Sequence, residues 1–600
     1  MFARSSRRAA SDRLVSYIAA LLVTFILTKS LHAGPIEAKE APLADRVPGN
    51  SIIYFGWHGT NGLGPAYEQS RLKAVIDATD CNQFFDPFLP QAIERIEKED
   101  KDAANAIRTV LRIGKPMWKH PSAFFFRGID WHGENEEPTP HLALLCQAGD
   151  DAADLEKELT EAVDGGMKQS PVQVPVKVVR MGDIVAIVVG GQENMFPKPG
   201  SKSLAGDAEF KSAMSQVNKD PVSVGYVNFH HLRTLVDNAV EKQGDADAKK
   251  MWPKVRDASG LEGLASAVWA CGFDGKDWLD EAFVSAPAPR KGLLRLMDDK
   301  PVTEEAIELI PKTATLAGVA RCDAAQCLDV FRSFVGDVDN DARDAVDAVL
   351  KQASEAAGVN LEEDLLKGLG DQWVYYIDPH TGGRGTMGLV LVNHLKNSDK
   401  AEQALAGLEK FANAAIAEQT RNQPMKASLL TTKAGDLTIH YLGLPLITPS
   451  WTIHDGNLYV ALFPQVVVSA TDHVAGKSKS VLENPDFAAL RTRLGIETPT
   501  AFQFMDLPRT APDAYPQWLM VSRLSGFGDL FGVPSPAMLA PPLSRLLPQL
   551  TAAGSVSWVD SDGWHAKAIT PFPGSTALST DPLGGAMGMQ PLLLGLVYFR

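Results

Sequence analysis

An internal repeat limits the possible folds of this sequence more than any other feature, because it divides 600 residues into two halves with the same order of patterns. A β-rich stretch begins at Val47 in the first half and at Ile310 in the second. In each half a Ser-Lys-Ser sequence, at residues 201–203 and 478–480, leads into an apolar helical pattern and then into a further strand. So many matches in one order are not expected by chance, and they predict two tandem copies of one unit.

Paired strands alternate with helices along both halves. Asp274-Gly275 and Asp562-Gly563 separate β-rich runs near the end of each half, and Asp-Gly is a favoured turn in two-stranded hairpins. The helical patterns lie at residues 91–113, 151–165, 339–357 and 398–418. Few strands are joined by the compact crossover that a parallel sheet requires. The pattern therefore predicts an α+β protein made of two tandem, internally repeated units, each a largely antiparallel sheet with helices packed on one face.

The predicted domain boundaries follow changes in composition. Between Ala286 and Pro301, proline and charged residues replace the periodic pattern, which indicates a junction. Each half then has about 250 residues, close to the size at which a single core stops growing. The predicted segments are a signal peptide at 1–33, a first α+β repeat at 47–290, a linker at 291–302, a second α+β repeat at 303–575 and an apolar tail at 576–600.

The first 33 residues have the features of a secretory signal peptide. Arginines precede an apolar run from Leu14 to Thr28, and Ala33 offers a small residue before a predicted cleavage that leaves Gly34 as the first residue. The apolar run is shorter than the ~20 residues that span a bilayer comfortably. The alternative is an uncleaved N-terminal anchor. Under both interpretations most of the chain is expected to be extracytoplasmic, either periplasmic or secreted.

The net charge argues against two classes of partner. The chain carries −15 at pH 7, and loss of residues 1–33 removes five basic residues and one acidic residue. A chain this acidic repels phosphate backbones and anionic lipid surfaces. We therefore expect no nucleic-acid binding, and contact with a membrane only through an uncleaved N-terminal segment.

Cysteine usage excludes a disulfide-rich scaffold, because the 600 residues contain only five cysteines. Cys146 and Cys271 lie in apolar, strand-like runs, which predicts two small buried side chains. Cys322 and Cys327 have four residues between them, which matches no zinc motif but permits a local disulfide bond. Cys81 is the fifth cysteine, and an odd number leaves at least one of the five unpaired in an oxidising compartment.

We assign no catalytic, cofactor-binding or metal-binding residue from sequence motifs, and HExxH and GxSxG are absent from the sequence. Histidine directly follows tryptophan at three places, Trp57-His58, Trp131-His132 and Trp564-His565. Because neighbours on a strand face opposite sides, we expect a buried Trp and an exposed His in each pair. The alternative is that His58 and His132 meet at one edge of the first sheet and bind a metal ion.

The chain resembles a known family through its two-fold order of strand, helix, hairpin and helix and through the run at residues 201–227. That family is bacterial and extracytoplasmic and is built on a domain of unknown function, which the resemblance places here as two tandem halves. The resemblance covers residues 47–290 and, more loosely, 303–575. It implies export and a two-half fold, and it brings no activity and no site residues to this chain.

These observations favour an exported, non-enzymatic protein of unknown specific role that binds a partner or is associated with the envelope. The expected partner is an unidentified protein or another envelope component. Two alternatives stay open at this point. One is an extracytoplasmic hydrolase whose catalytic residues are dispersed in the sequence, since distant groups can assemble one site. The other is a membrane-tethered assembly or quality-control factor, which would carry the same units on an uncleaved anchor.

Overall fold

The computed structural model describes two compact units. Unit 1 contains the described residues up to Lys249 together with Leu264–Ser285 and Ser522–Pro542, and unit 2 contains Lys250–Gly263, Ala286–Val521 and the described residues from Leu543 onward. The predicted signal peptide, with Ala33 and Gly34, and most of the predicted tail lie outside the described residues. The described residues are 41–131, 138–167, 175–191, 195–197, 202–218, 220–297, 300–419, 421, 427–444, 447–476, 479–530 and 532–579.

Within the described residues, the sheet of unit 1 has eight strands, and each neighbouring pair is antiparallel. The strands are β1 (Ile53–Trp57), β2 (Ser122–Asp130), β3 (Thr139–Gln147), β4 (Val176–Met181), β5 (Ile184–Val189), β6 (Ser223–Asn228), β7 (Ser266–Asp274) and β8 (Asp277–Ser285). Their order across the sheet is β4-β5-β3-β2-β1-β6-β7-β8. The predicted hairpin around Asp274-Gly275 is confirmed as β7 and β8.

The sheet of unit 2 has ten strands in the described part of the chain, again with antiparallel neighbours. The strands are β9 (Leu316–Arg321), β10 (Gln372–Ile377), β11 (Leu389–His394), β12 (Leu429–Ala434), β13 (Leu437–Leu442), β14 (Ser450–His454), β15 (Asn457–Ala461), β16 (Ala501–Met505), β17 (Ala553–Val559) and β18 (Gly563–Thr570). Their order is β12-β13-β14-β15-β11-β10-β9-β16-β17-β18. The hairpin around Asp562-Gly563 is confirmed as β17 and β18.

Helices separate the strands in both units, so the predicted α+β class is confirmed. The described α-helices are α1 (Gly64–Glu68), α2 (Arg71–Asp77), α3 (Cys81–Gln83), α4 (Leu89–Glu99), α5 (Lys101–Lys119), α6 (Ala152–Met167), α7 (Ala208–Met214), α8 (Phe229–Gln243), α9 (Ala246–Ser259), α10 (Glu304–Glu308), α11 (Ala324–Val338), α12 (Asn340–Ala357), α13 (Ser398–Gln419), α14 (Pro464–Ala475), α15 (Pro485–Leu494), α16 (Leu507–Ser522), α17 (Phe527–Leu530) and α18 (Leu543–Leu546). The predicted linker contains a 3-10 helix at Gly292–Leu296. None of the described helices has the length and apolar character needed to cross a membrane.

The helical pattern at residues 91–113 is confirmed as helical, and the structure divides it between two helices, α4 and α5. Asp100 ends α4, and its carboxylate accepts hydrogen bonds from the backbone N–H groups of Asp102 (3.0 Å) and Ala103 (2.9 Å). An aspartate that satisfies the first N–H groups in this way begins a new helix, here α5. The three other helical patterns are confirmed as α6, α12 and α13.

Helices cover both faces of the unit 1 sheet, so the prediction of helices on one face is wrong. On one face, the ring of Phe210 in α7 meets the rings of Tyr54 and Tyr226 edge to face, with centroids 5.7 and 5.0 Å apart. On the other face, Leu159 of α6 is buried in a cluster with Val185 of β5. The reason is that every residue of β5 is apolar. Helices on both sides of the sheet remove this apolar surface from water, which stabilises the fold.

The sheet of unit 2 is also covered on both faces. Phe487 of α15 packs against Phe502 and Phe504 of β16, with ring centroids 5.6 Å apart in each case. The strand register places Leu458 on the opposite face, where it is buried in a cluster with Ala401 of α13. Each unit therefore has a layer of helices on either side of its sheet.

A segment from late in the sequence, Ser522–Pro542, packs within unit 1, although it lies inside the predicted second repeat at residues 303–575. The backbone N–H of Asp80 donates to the carbonyl of Met538 at 2.7 Å, and the backbone N–H of Met538 donates to the Asp80 carboxylate at 2.9 Å. Gly528 lies so close to Phe88 that an added Cβ would be 2.7 Å from its ring. The segment is thus built into unit 1 by both hydrogen bonds and close packing.

Candidate functional site

Five apolar side chains form a partly exposed surface on the sheet of unit 1, which we call the aromatic face. Opposed residues of antiparallel strands project from the same side of a sheet. The register opposes Ile53 to Phe126 and Phe55 to Phe124 across β1 and β2, and it places Trp269 beyond Gly225 on β6 and β7. The members of the aromatic face are Ile53, Phe55, Phe124, Phe126 and Trp269.

Trp269 is the most exposed member of the aromatic face, with 42% of its surface accessible. Its ring lies directly across Gly225, because an ideal Cβ at position 225 would be only 1.6 Å from its Cζ3 atom. The same ring stacks on Phe55 with centroids 5.7 Å apart and an interplanar angle of 29°. A glycine on one strand and an aromatic ring on the next therefore hold the indole flat against the sheet while its outer side meets solvent.

The side chains beside Trp269 disfavour charge. Cys271 and Asp280 are opposed on β7 and β8, one step along the strands from Trp269 on the same face. Burial raises the pKa of Cys271 to about 12, and it also raises the pKa of Asp280, whose carboxylate accepts a hydrogen bond from Trp278 Nε1 at 3.0 Å. Burial therefore disfavours the charged form of both of these groups beside Trp269.

The structure differs between the Trp-His pairs in how far it buries the tryptophan and the histidine. At Trp57-His58 the indole is buried and the histidine is half-buried, and Trp57 Nε1 donates to the carbonyl of Trp118 at 2.9 Å. The metal alternative for His58 and His132 lies outside the described residues, because His132 is not among them. Within the described chain, no group of three or more His, Cys, Asp or Glu side chains is arranged to hold a metal ion.

At Trp564-His565 the prediction of a buried Trp and an exposed His is wrong. His565 is buried and Trp564 is only half-buried. The register of the β17–β18 hairpin opposes His565 to Trp558, and their rings stack with centroids 4.8 Å apart. His565 Nε2 also lies 3.0 Å from the carboxylate of Asp560. Stacking and a carboxylate partner together allow this imidazole to be buried.

A surface depression of about 500 Å³ lies beside α15 in unit 2. Its border includes Phe487, Arg491 and Glu497. The Arg491 guanidinium is engaged by both oxygens of Glu304, so this cation is already occupied by an internal partner. The depression therefore offers a weaker case for ligand binding than the aromatic face does.

The antiparallel sheets and their covering helices define the protein as α+β. The chain belongs to the family described as protein of unknown function (DUF3352), whose model matches residues 197–525, more than half of the chain. The match begins inside the first predicted repeat and ends inside the second. No curated protein matches the chain, and no solved structure matches it. Because the function of this family is unknown, the match assigns no activity and no site residues to this protein.

Proposed function

We propose that the protein is an exported, non-enzymatic binding protein, and that the aromatic face of unit 1 holds an apolar part of its partner, a protein or another envelope component. The observation that carries this proposal is the exposure of Trp269, an indole held flat on a sheet beside other half-exposed aromatic rings. Contiguous apolar side chains on a soluble surface mark interaction sites, and tryptophan is enriched among the residues that contribute most to binding.

The chemistry of the aromatic face supports a partner that is apolar rather than charged. Its members carry no ionisable groups, and the neighbouring Asp280 has a raised pKa because of burial. A charged partner placed here would lose hydration without gaining an opposite charge from these side chains. An aliphatic or aromatic segment would instead bury apolar area against Trp269 and Phe55.

A fluorescent-probe experiment tests this proposal. The uncharged probe N-phenyl-1-naphthylamine is titrated into the purified chain, into Trp269→Ala and into Phe55→Ala. Loss of either ring is expected to weaken probe binding about tenfold, which corresponds to about 1.4 kcal/mol. The matched control is Phe331→Ala, which removes an aromatic ring of similar exposure, 49%, from unit 2. Equal weakening in the control, or none in Trp269→Ala and Phe55→Ala, would contradict the proposed role of the aromatic face.

A photo-crosslinking amino acid at position 269 then identifies the partner in intact cells. The same amino acid at position 331 supplies the control, because that side chain is also exposed but belongs to unit 2. The proposal expects a crosslinked species from position 269 that position 331 does not produce. Identical products from both positions would indicate nonspecific contact and contradict it.

We further propose that the chain consists of two copies of one α+β unit. Supporting this, β1 lies between β2 and β6 in unit 1, as β9 lies between β10 and β16 in unit 2. Four backbone hydrogen bonds of unit 1 also have a counterpart at the matching position of unit 2. The pairs are Ile52 N–Phe126 O (2.8 Å) with Thr315 N–Ile377 O (2.9 Å), Asn228 N–Ile52 O with Asp506 N–Thr315 O (both 2.8 Å), Leu204 N–Val47 O (2.7 Å) with Val481 N–Ile310 O (2.8 Å), and Gly49 N–Lys202 O (3.0 Å) with Lys312 N–Lys479 O (2.9 Å).

The repeated Ser-Lys-Ser sequences support the same proposal. Ser203 forms an isolated antiparallel bridge with Pro48, and Ser480 forms the same kind of bridge with Pro311. A short helix follows each bridge, and its N-cap is Asp207 in α7 and Asn484 in α15. A crystal structure tests the duplication by superposition. The expected alignment pairs β1 with β9 and α7 with α15, and a best superposition with any other pairing would contradict it.

Export is the third part of the proposal, and it rests on the basic start, the apolar run and the small residue Ala33 in the N-terminal sequence. We infer that cleavage leaves Gly34 as the first residue and that the acidic mature chain is extracytoplasmic. Cell fractionation is the direct measurement, with recovery in the cytoplasmic fraction as the contradicting result.

A further inference from the structure

Two cysteines of unit 2 lie side by side at the start of α11. Cys322 follows directly after β9, and Cys327 is in the first turns of the helix. Their Sγ atoms are 3.9 Å apart, with Cys322 exposed and Cys327 partly exposed. Between them, the Asp323 carboxylate accepts a hydrogen bond from the backbone N–H of Gln326 at 3.0 Å and caps the helix. Cys322 thus lies one residue before the N-cap, and Cys327 lies four residues after it. Side chains at these two positions commonly pack together at the start of a helix.

The backbone on both sides of this pair is held in place. The N–H of Cys322 donates to the carbonyl of Asp371 at 2.7 Å, and the indole N–H of Trp373 donates to the carbonyl of Cys322 at 3.2 Å. The N–H of Cys327 donates to the carbonyl of Asp323 at 2.9 Å. A disulfide bond needs sulfur atoms about 2.05 Å apart. The two sulfurs therefore have to close a short gap, and side-chain rotation can provide this while the anchored backbone stays in place.

We propose that Cys322 and Cys327 form a reversible intramolecular disulfide bond by exchange with an external disulfide, such as oxidised glutathione or an oxidised dithiol protein. The thiolate of Cys322 attacks the external disulfide RSSR and forms a mixed disulfide, and one RS⁻ leaves and takes up the proton that Cys322 lost. The thiolate of Cys327 then attacks the Cys322 sulfur and releases the second RS⁻, which takes up the proton of Cys327. In sum, two protein thiols are oxidised and RSSR is reduced to two RSH.

The roles of attacking and resolving thiol follow from exposure. Cys322 is the exposed member of the pair and meets an external disulfide first. Burial and the neighbouring Cys322 raise the pKa of Cys327, which makes it the poorer first nucleophile but leaves it in place to resolve the mixed disulfide. This assignment predicts different products from the two single variants.

The other cysteines are poor competitors for an external disulfide. Cys146 and Cys271 are buried, as the sequence predicted, and burial raises their pKa values to about 11 and about 12. Cys81 is partly exposed, and its sulfur lies 2.6 Å from the Thr79 hydroxyl. Cys81 is therefore the suitable control position, since it shares partial exposure with Cys327 in a different setting.

The test is a thiol count on the purified full chain. The chain is incubated with oxidised glutathione, denatured, and labelled with a maleimide reagent that shifts its mass for each free thiol. Of the five cysteines, three are expected to remain labelled after oxidation and all five after subsequent treatment with a reductant. Cys81→Ser should still lose two thiols on oxidation, because it leaves the proposed pair intact.

The single variants separate the proposed order of steps from simple surface oxidation. Cys327→Ser should accumulate one glutathione at Cys322, whereas Cys322→Ser should acquire at least tenfold less glutathione under the same conditions. Thermal melts of both variants establish that they are folded. Three results would each overturn the proposal. They are five labelled thiols in the oxidised chain, a stable glutathione adduct on the chain without substitutions, and disulfide-linked dimers in place of the internal bond.

Discussion

Replacing Gly225 by alanine should destabilise unit 1 through one side chain, that of Trp269. A Cβ at position 225 would lie 1.6 Å from Cζ3 of the indole, 2.0 Å from Cε3 and 2.4 Å from Cη2. No strand can accommodate such contacts, so the ring has to leave its position on the sheet. It then loses its stack on Phe55, whose centroid is 5.7 Å away.

The expected cost can be worked out from the burial of this ring. Trp269 is 42% exposed, so more than half of its surface is covered in the folded protein. If displacement exposes roughly 80 Å² of that surface, the loss is about 2 kcal/mol at 25 cal/mol per Å². Loss of the aromatic stack adds about 0.5 to 1.5 kcal/mol. Alanine offsets about 0.5 to 1 kcal/mol of this, because glycine in a strand loses more conformational entropy on folding.

A double-mutant cycle isolates this mechanism, because the sign of the effect should change with the residue at position 269. Gly225→Ala alone should lower the free energy of unfolding by about 2 kcal/mol. In a Trp269→Ala background the same change should be neutral or stabilising by up to about 1 kcal/mol, since no ring is displaced. The urea dependence of hydrogen exchange in peptides from β6 and β7 measures unit 1 separately from unit 2. Equal destabilisation in both backgrounds would refute the argument.

Three further outcomes are expected. Mass spectrometry of the exported protein should find Gly34 at its N-terminus, and a mass that includes residues 1–33 would favour the anchored form. Asp207→Ala and Asn484→Ala each remove a helix cap, and each should lower the free energy of unfolding of its own unit by about 1 kcal/mol. Urea unfolding measures this, and an unchanged midpoint would contradict the capping role. The hydrogen bond from Arg491 lowers the pKa of Glu304, so this pair stabilises the folded state above the unfolded pKa of about 4.3 and the contribution disappears as pH falls. Glu304→Gln should therefore reduce the loss of unit 2 stability on acidification, and an unchanged acid profile would refute this.

Local signals in the sequence predicted much of the fold. The Asp-Gly pairs at 274–275 and 562–563 marked two hairpins, because this dipeptide adopts the turn that joins twisted antiparallel strands. The helical patterns of the sequence predicted α6, α12 and α13 to within about two residues, the usual precision of helix ends. The interruption at Asp100 was missed because the apolar pattern continues across it, and only the cap geometry separates the two helices.

The aromatic face was harder to predict than the hairpins. Phe124, Phe125 and Phe126 are apolar at three successive strand positions, so alternation does not tell which rings point to the buried side. The structure buries Phe125 and leaves its two neighbours half-exposed. The exposure of Trp269 was equally hard to predict, because its ring lies across Gly225 of another strand. The pattern of apolar residues along one strand contains no information about such a contact.

The position of Ser522–Pro542 in unit 1 has a consequence for the order in which this protein folds as it is synthesised. The strands of unit 1 are complete once Ser285 has been added, but the segment that contacts Asp80 and Phe88 comes more than two hundred residues later. At about 5 to 20 residues per second, the interval between the two events is roughly 10 to 50 s. During that time the sheet of unit 1 lacks its contacts with Ser522–Pro542, and a chain that stops at residue 290 never forms them. Unit 1 is therefore finished only after most of unit 2 has been made.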